Sequence, residues 1–276
     1  MLRWVLAALL FLVGCGQAVS EEVMDQGLTP GPHQVDYYVS WDTSGVTLKD
    51  DGLELRNNLG YQVELRAGYL VFYSTQLVPC EDEESSELTR AQTKSIDWAK
   101  WLGRVIGIRT AHAGHGDEDM DPSVMAQSYV ENLIAPEAME LGTRTIADTR
   151  YCQIHYLVAR GGSGTIGLPE DQDMVGASLY MEGTWSLEGG APQPFTILSS
   201  VAYGTLTNLY PESYYGISDK EFELDANLVG ARVEIERQLS GLFEDLNFET
   251  MTATQLERRV LQNVIEYSRI HVETIP

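Results

Sequence analysis

Two imidazoles three residues apart, His112 and His115, lead into Asp117, Asp119, Met120 and Asp121, the most unusual local composition in the chain. Imidazole nitrogen suits copper or zinc, carboxylates add hard donors, and a thioether suits Cu(I). Gly114 and Gly116 let the backbone fold around an ion. The expected metal ligands are therefore His112, His115 and Asp117, with Met120 and His155 as additional donors. The alternative is an acidic insertion with incidental cation affinity. Alternate carboxylates at 117, 119 and 121 also open an EF-hand loop, but Pro122 stands where that loop needs Gly and Ser128 where it needs Glu.

Cysteine chemistry is set by the first fifteen residues. Arg3, an apolar run from Trp4 to Val13 and then Gly14-Cys15 form a short basic and hydrophobic leader. About ten apolar residues are too few to span a bilayer core of roughly 30 Å, so the run reads as a secretory signal that is removed. Leu12-Val13-Gly14-Cys15 resembles the bacterial lipobox, which implies a signal peptide over 1–14 and a lipidated Cys15. Acyl chains, at about 0.8 kcal/mol per buried CH2, then hold the protein on a membrane without a spanning helix. Gly16 rather than Asp follows the cysteine, which by resemblance to Gram-negative sorting rules implies the outer membrane, facing the periplasm or the cell surface; a Gram-positive surface is the other reading.

With Cys15 acylated, Cys80 and Cys152 remain, and an even pair in an oxidising compartment reads as a disulfide. Such a bond closes a loop of about 70 residues and contributes roughly 4 kcal/mol in the chain-entropy model. The competing reading has both thiols as soft metal ligands beside His155. In a regular strand over 151–160, Cys152 and His155 point to opposite faces, which favours the disulfide.

The elements that must position these groups are mostly strands. Residues 15–34 hold the lipidated cysteine and a polar, Pro-containing tether that includes His33; a single β-sandwich domain follows over 35–276, with an insertion at about 81–150. Strand patterns occur at Val35–Trp41, Gly52–Arg56 and Tyr61–Val78, the last with Val63, Leu65, Tyr69, Val71 and Tyr73 on one face and a break or bulge at Gly68. Within the insertion, Ile96, Leu102, Val105 and Ile106 approximate a helical stripe, and a weaker helical pattern runs from Ser123 to Leu133. Strands resume at 151–160, Val175–Leu187 and Phe195–Leu206. The C-terminal part reads as strands near Phe222–Leu224 and Ala231–Glu236, a short helix near Leu239–Asp245, a helix over Ala253–Tyr267 capped by Thr252 or Thr254, and a last strand at Ile270–Thr274 that carries His271. The fold class is mainly β, an antiparallel sandwich with helical insertions and a C-terminal helix.

Charge narrows the partners. After residue 14 the remaining 262 residues carry 17 basic against 41 acidic side chains, a net charge of −24. Nucleic acid is disfavoured by such a field, and so is electrostatic docking on anionic lipid. Gly162-Ser163-Gly164-Thr165-Ile166-Gly167 matches G-x-G-x-x-G by letter, but Leu168-Pro169-Glu170 follows instead of a helix, so a nucleotide is not expected and the run reads as a hairpin loop. Thr165 breaks the hydrolase elbow G-x-S-x-G at the same place. No nucleophile, base and orienter form a complete set, which favours a binding protein over an enzyme.

Three stretches of the body carry a resemblance: Asn58-Leu59-Gly60-Tyr61-Gln62-Val63, Met174 to Thr184, and Val233-Glu234-Ile235 before Leu242 to Phe248. They resemble MbnP-type periplasmic copper-associated proteins. That resemblance implies a β-sandwich that binds copper and works with a di-haem partner that oxidises a tryptophan; no ligand position is carried over from it. The resulting expectation is a lipid-anchored cell-envelope protein that binds copper or zinc through the His/Asp-rich loop. The competing class is a metal-free structural or interaction lipoprotein that recognises an envelope protein or a polysaccharide.

Overall fold

The structure, a computed structural model, describes residues 33–80, 124–146, 150–187, 189–209, 222–223 and 230–275. It is a mainly β fold of two sheets. The smaller sheet has the order β14-β13-β1-β7, built from β14 (Ser268–Ile275), β13 (Gly230–Gln238), β1 (His33–Asp42) and β7 (Met139–Ile146). β1 and β13 run parallel, the exception in an otherwise antiparallel arrangement. Strict alternation along β1 turns Val35, Tyr37, Val39 and Trp41 inward, as a strand with one buried face requires.

The larger sheet is organised by β4 (Tyr61–Pro79), a strand of 19 residues. On one edge β4 meets β3 (Gly52–Arg56), which pairs in turn with β2 (Thr47–Lys49), and further along β6 (Tyr129–Asn132) and β5 (Val124–Met125). On the other edge it meets first β9 (Leu179–Leu187) and then β8 (Arg150–Val158). Outside these lie β10 (Gln193–Ser199) on β9, and β11 (Tyr203–Asn208) and β12 (Phe222–Glu223) on β8. Two irregularities, at Arg66 and Tyr73, each add a residue to β4 and reverse which side chains face in. Val63 and Leu65 face the core before the first, Leu70 and Phe72 after it, and Thr75 and Leu77 after the second. The single face expected for Val63, Leu65, Tyr69, Val71 and Tyr73 is therefore wrong: Tyr69 and Val71 lie on the opposite side, in a small cluster with Val130, Met174 and Ala177.

The core has two halves. In one, the smaller sheet packs on β4 and β8, with Val35, Tyr37, Val233 and Ile235 against Phe72, Leu77, Ile154 and Tyr156. In the other, β4, β9 and β10 are covered by a 3-10 turn (Leu239–Phe243) and by α1 (Ala253–Glu266). α1 begins at the expected Thr252, whose side chain accepts from the Gln255 N–H while Gln255 reaches back, a complete capping box. The sandwich is stitched along one side by Tyr129 Oη donating to Leu141 O at 2.9 Å and Arg144 Nε donating to Val124 O at 3.1 Å.

Other differences from expectation have physical causes. The Ser123–Leu133 segment is not helical where described, because β5 and β6 satisfy its backbone against β4. β1 starts at His33, which is buried, so its side chain belongs to the sandwich and not to the tether. The glycine-rich run is no hairpin loop, since β8 and β9 both pair with β4 and not with each other. Residues 159–178 instead cross over β4, bonded through Val71 N to Ser178 O and Val130 N to Ile166 O. Within that crossing Gly162 to Thr165 form a turn closed by the Thr165 side chain, and Gly167 supplies a backbone φ of +77°.

Candidate functional site

β8 projects Gln153, His155 and Leu157 away from the core, while Ile154 and Tyr156 point into it. His155 stands opposite Gln76 on β4 and Leu206 on β11. It is only 7% exposed. Burial pushes its pKa down from 6.5 to about 4. The ring is therefore neutral at pH 7, the protonation state in which an imidazole ligates a borderline cation.

Cys80 and Cys152 form a disulfide with Cα atoms 4.9 Å apart. The bond consumes both thiols, so a Cys/Cys/His site is not what this fold presents. It also fastens the end of β4 to β8 three residues before His155. The chain rejoins the sheet at Val124, which pairs with the same Gln76 that stands opposite His155. Both ends of residues 81–123 thus meet the sheet in the neighbourhood of His155, Val124 being two strand spacings of about 4.8 Å away. His112, His115, Asp117 and Met120 lie outside the described residues, as does Cys15. Among the described residues no three His, Cys, Asp or Glu side chains gather into a metal site, and no helix is long and apolar enough to cross a membrane. His271 lies on the outward face of the smaller sheet, its Nε2 3.1 Å from Glu236 Oε2.

No family model matches the chain, and no curated protein sequence does. One solved structure is similar. It is MbnP from Methylosinus trichosporium, 10% identical, aligned over 80% of this chain and 83% of that one with a TM-score of 0.32. A likeness this low transfers no residue, ligand or partner.

Sequence reasoning missed the polar cluster where the two halves of the core meet. Glu131 on β6 and Arg237 on β13 form an ion pair at 2.5 Å, with the guanidinium fully buried. Trp41, paired with Arg237 across β1 and β13, donates its indole N–H to Glu131 at 2.8 Å. The guanidinium carbon lies 5.3 to 5.8 Å from the ring centres of Trp41, Tyr156 and Phe72. Tyr156 continues the network by donating to Ser268 Oγ at 2.6 Å. Burial pushes its phenol pKa up, with Arg237 and Ser268 pulling the other way. Arg237 Nε and Nη2 have no hydrogen-bond partner among the described residues, so the aromatic rings are what faces them. One signal was readable: the alternation of Ala231, Val233 and Ile235 puts Arg237 on the inward phase of its strand.

Proposed function

We propose that this protein is a lipid-anchored binding protein of the bacterial cell envelope that holds copper or zinc through His112, His115 and Asp117, with Met120 and His155 as further donors. The observation that carries the reading is the placement of His155: a neutral, buried imidazole, flanked by the two points at which the His/Asp-bearing chain leaves and rejoins the sheet. Only eight residues separate His115 from Val124, and the nine extended steps between them reach about 30 Å, well beyond the roughly 10 Å between Val124 and His155. The disulfide supports an oxidising compartment, where exchangeable copper and zinc meet a protein from outside the cytoplasm.

The test is a titration of the chain from Gly16 with Cu(I), Cu(II) and Zn(II), beside a His112→Ala/His115→Ala variant and a His155→Ala variant. Stoichiometric binding tighter than about 1 µM is expected, weakened at least tenfold in the histidine pair variant and by less in His155→Ala. Binding that is absent, or unchanged in the pair variant, would sink the loop site. The anchor is read separately: Cys15→Ala should move the protein from the membrane to the soluble fraction and remove the acyl mass.

A further inference from the structure

From Gly189 to Leu209 the chain has no Asp, Glu, Lys or Arg, although 21% of all residues are charged and such a run would ordinarily hold about four. The structure gives this run a position. It forms β10 and β11, which among the described residues pair on one side only, with β9 and β8 respectively. Because β9 and β8 follow one another along the same edge of β4, β10 and β11 make one continuous border of the larger sheet. That border exposes Leu198 at 57%, Val201 at 41% and Leu206 at 53%. Among the described residues, charges reach it from other elements, Arg160 donating to Ser200 O at the bend and Glu257 of α1 accepting from Ser199 at 2.7 Å.

Edge strands are ordinarily guarded by charges, proline or extreme shortness, since their free N–H and C=O groups invite another strand. The other terminal strands here obey that rule. β2 carries Lys49, β7 Glu140 and Arg144, and β14 Arg269 and Glu273, β5 and β12 are two residues long, and β6 is bonded on its outer side to Ile166. On the β10 to β11 border the one guard among the described residues is Pro194, at the start of β10, and no described strand pairs with the outer side of Phe195–Ser199 or of β11.

We propose that this border is a self-association edge, through which two copies of the chain pair strand to strand across a two-fold axis. The occupant follows from charge. In an isologous contact each patch meets itself, so a chain of net charge −23 must present a strip without acids or it sets carboxylate against carboxylate. The uncharged border meets that condition, with the exposed leucines supplying the apolar contact and the free backbone groups the hydrogen bonds.

Sedimentation velocity of the chain from Gly16, from about 1 to about 100 µM, tests it. A reversible dimer is expected, with amide protection over residues 193–209 rising with concentration. Thr196→Lys/Leu198→Lys alters two exposed side chains and lowers the net negative charge, so it cannot separate the copies by general repulsion. It should be monomeric over the whole range, with a urea midpoint equal to that of the native chain at the low concentration where both are monomers, whereas Leu48→Lys on β2 should stay dimeric. A monomeric native chain at 100 µM, a dimer that survives the double lysine change, or a dimer without concentration-dependent protection of 193–209 overturns the proposal.

Discussion

A histidine whose folded pKa lies near 4 ties stability to pH in a fixed direction. Between that value and the unfolded value of about 6.5 the unfolded chain binds the extra proton, so stability rises with pH. The contribution is complete above about pH 6.5 and is lost as the pH falls through the folded pKa, in total on the order of 3 kcal/mol. Urea midpoints at pH 7 and pH 4.5 should therefore fall further in the native protein than in His155→Gln. An equal fall in both would mean that His155 is not desolvated in the fold. The Glu131 and Arg237 pair makes a different prediction, since removing one charge leaves the other buried without compensation. Glu131→Gln should cost about 3–5 kcal/mol, while Glu131→Leu/Arg237→Met should cost much less than either single change, as a urea double-mutant cycle will read. Arg237 was legible from the phase of its strand, but Glu131 was not. Its segment carries too few apolar residues for period two to stand out from a helical reading, and the contact that settles it comes from β4, more than fifty residues earlier.

At the scale of elements, the strands with strict alternation were legible and the irregular one was not. β1 and β13 follow period two, and α1 was readable from its cap and its spacing. β4 reverses phase twice, and neither irregularity lies at Gly68, the residue whose type suggested one; they lie at Arg66 and Tyr73, where partner strands dictate the register. The β3 to β4 turn is held by a specific clamp. Asn57 donates to Phe243 O at 3.0 Å and Leu246 O at 2.9 Å, and accepts from Leu59 N and Tyr61 N. One side chain thus joins the larger sheet to the segment that covers it. Asn57→Ala strands two carbonyls and two amides and should lower stability by about 2–4 kcal/mol; Asn57→Asp, which keeps the acceptor and loses the donor, should lose a large part of the same amount. Thermal unfolding of the native protein beside both variants measures these losses.

For the whole molecule, the long-range tie that composition foretold is the disulfide. Cysteine parity, once Cys15 is assigned to lipid, leaves a pair 72 residues apart, and the structure joins it. What parity could not convey is where the bond falls. It joins the far end of β4 to β8, so in the unfolded ensemble it closes a loop that contains the His/Asp run together with β5, β6 and β7. Restricting a loop of that length stabilises the native state by about 4 kcal/mol in the chain-entropy model. Cys80→Ser/Cys152→Ser should therefore lower the unfolding free energy by about that amount in urea. The sheet's own pairing of β4 with β8, from Phe72 to Pro79, does not require the bond, so the folded circular dichroism spectrum should persist in the variant. If the variant instead loses its sheet signal in the absence of denaturant, the pairing depends on the covalent tie, and β8 with β11 and β12 attached would be the part that detaches. Hydrogen exchange distinguishes the two outcomes, because amides of Ile154 and Tyr156 stay protected in the first and exchange ahead of those of β1 and β13 in the second.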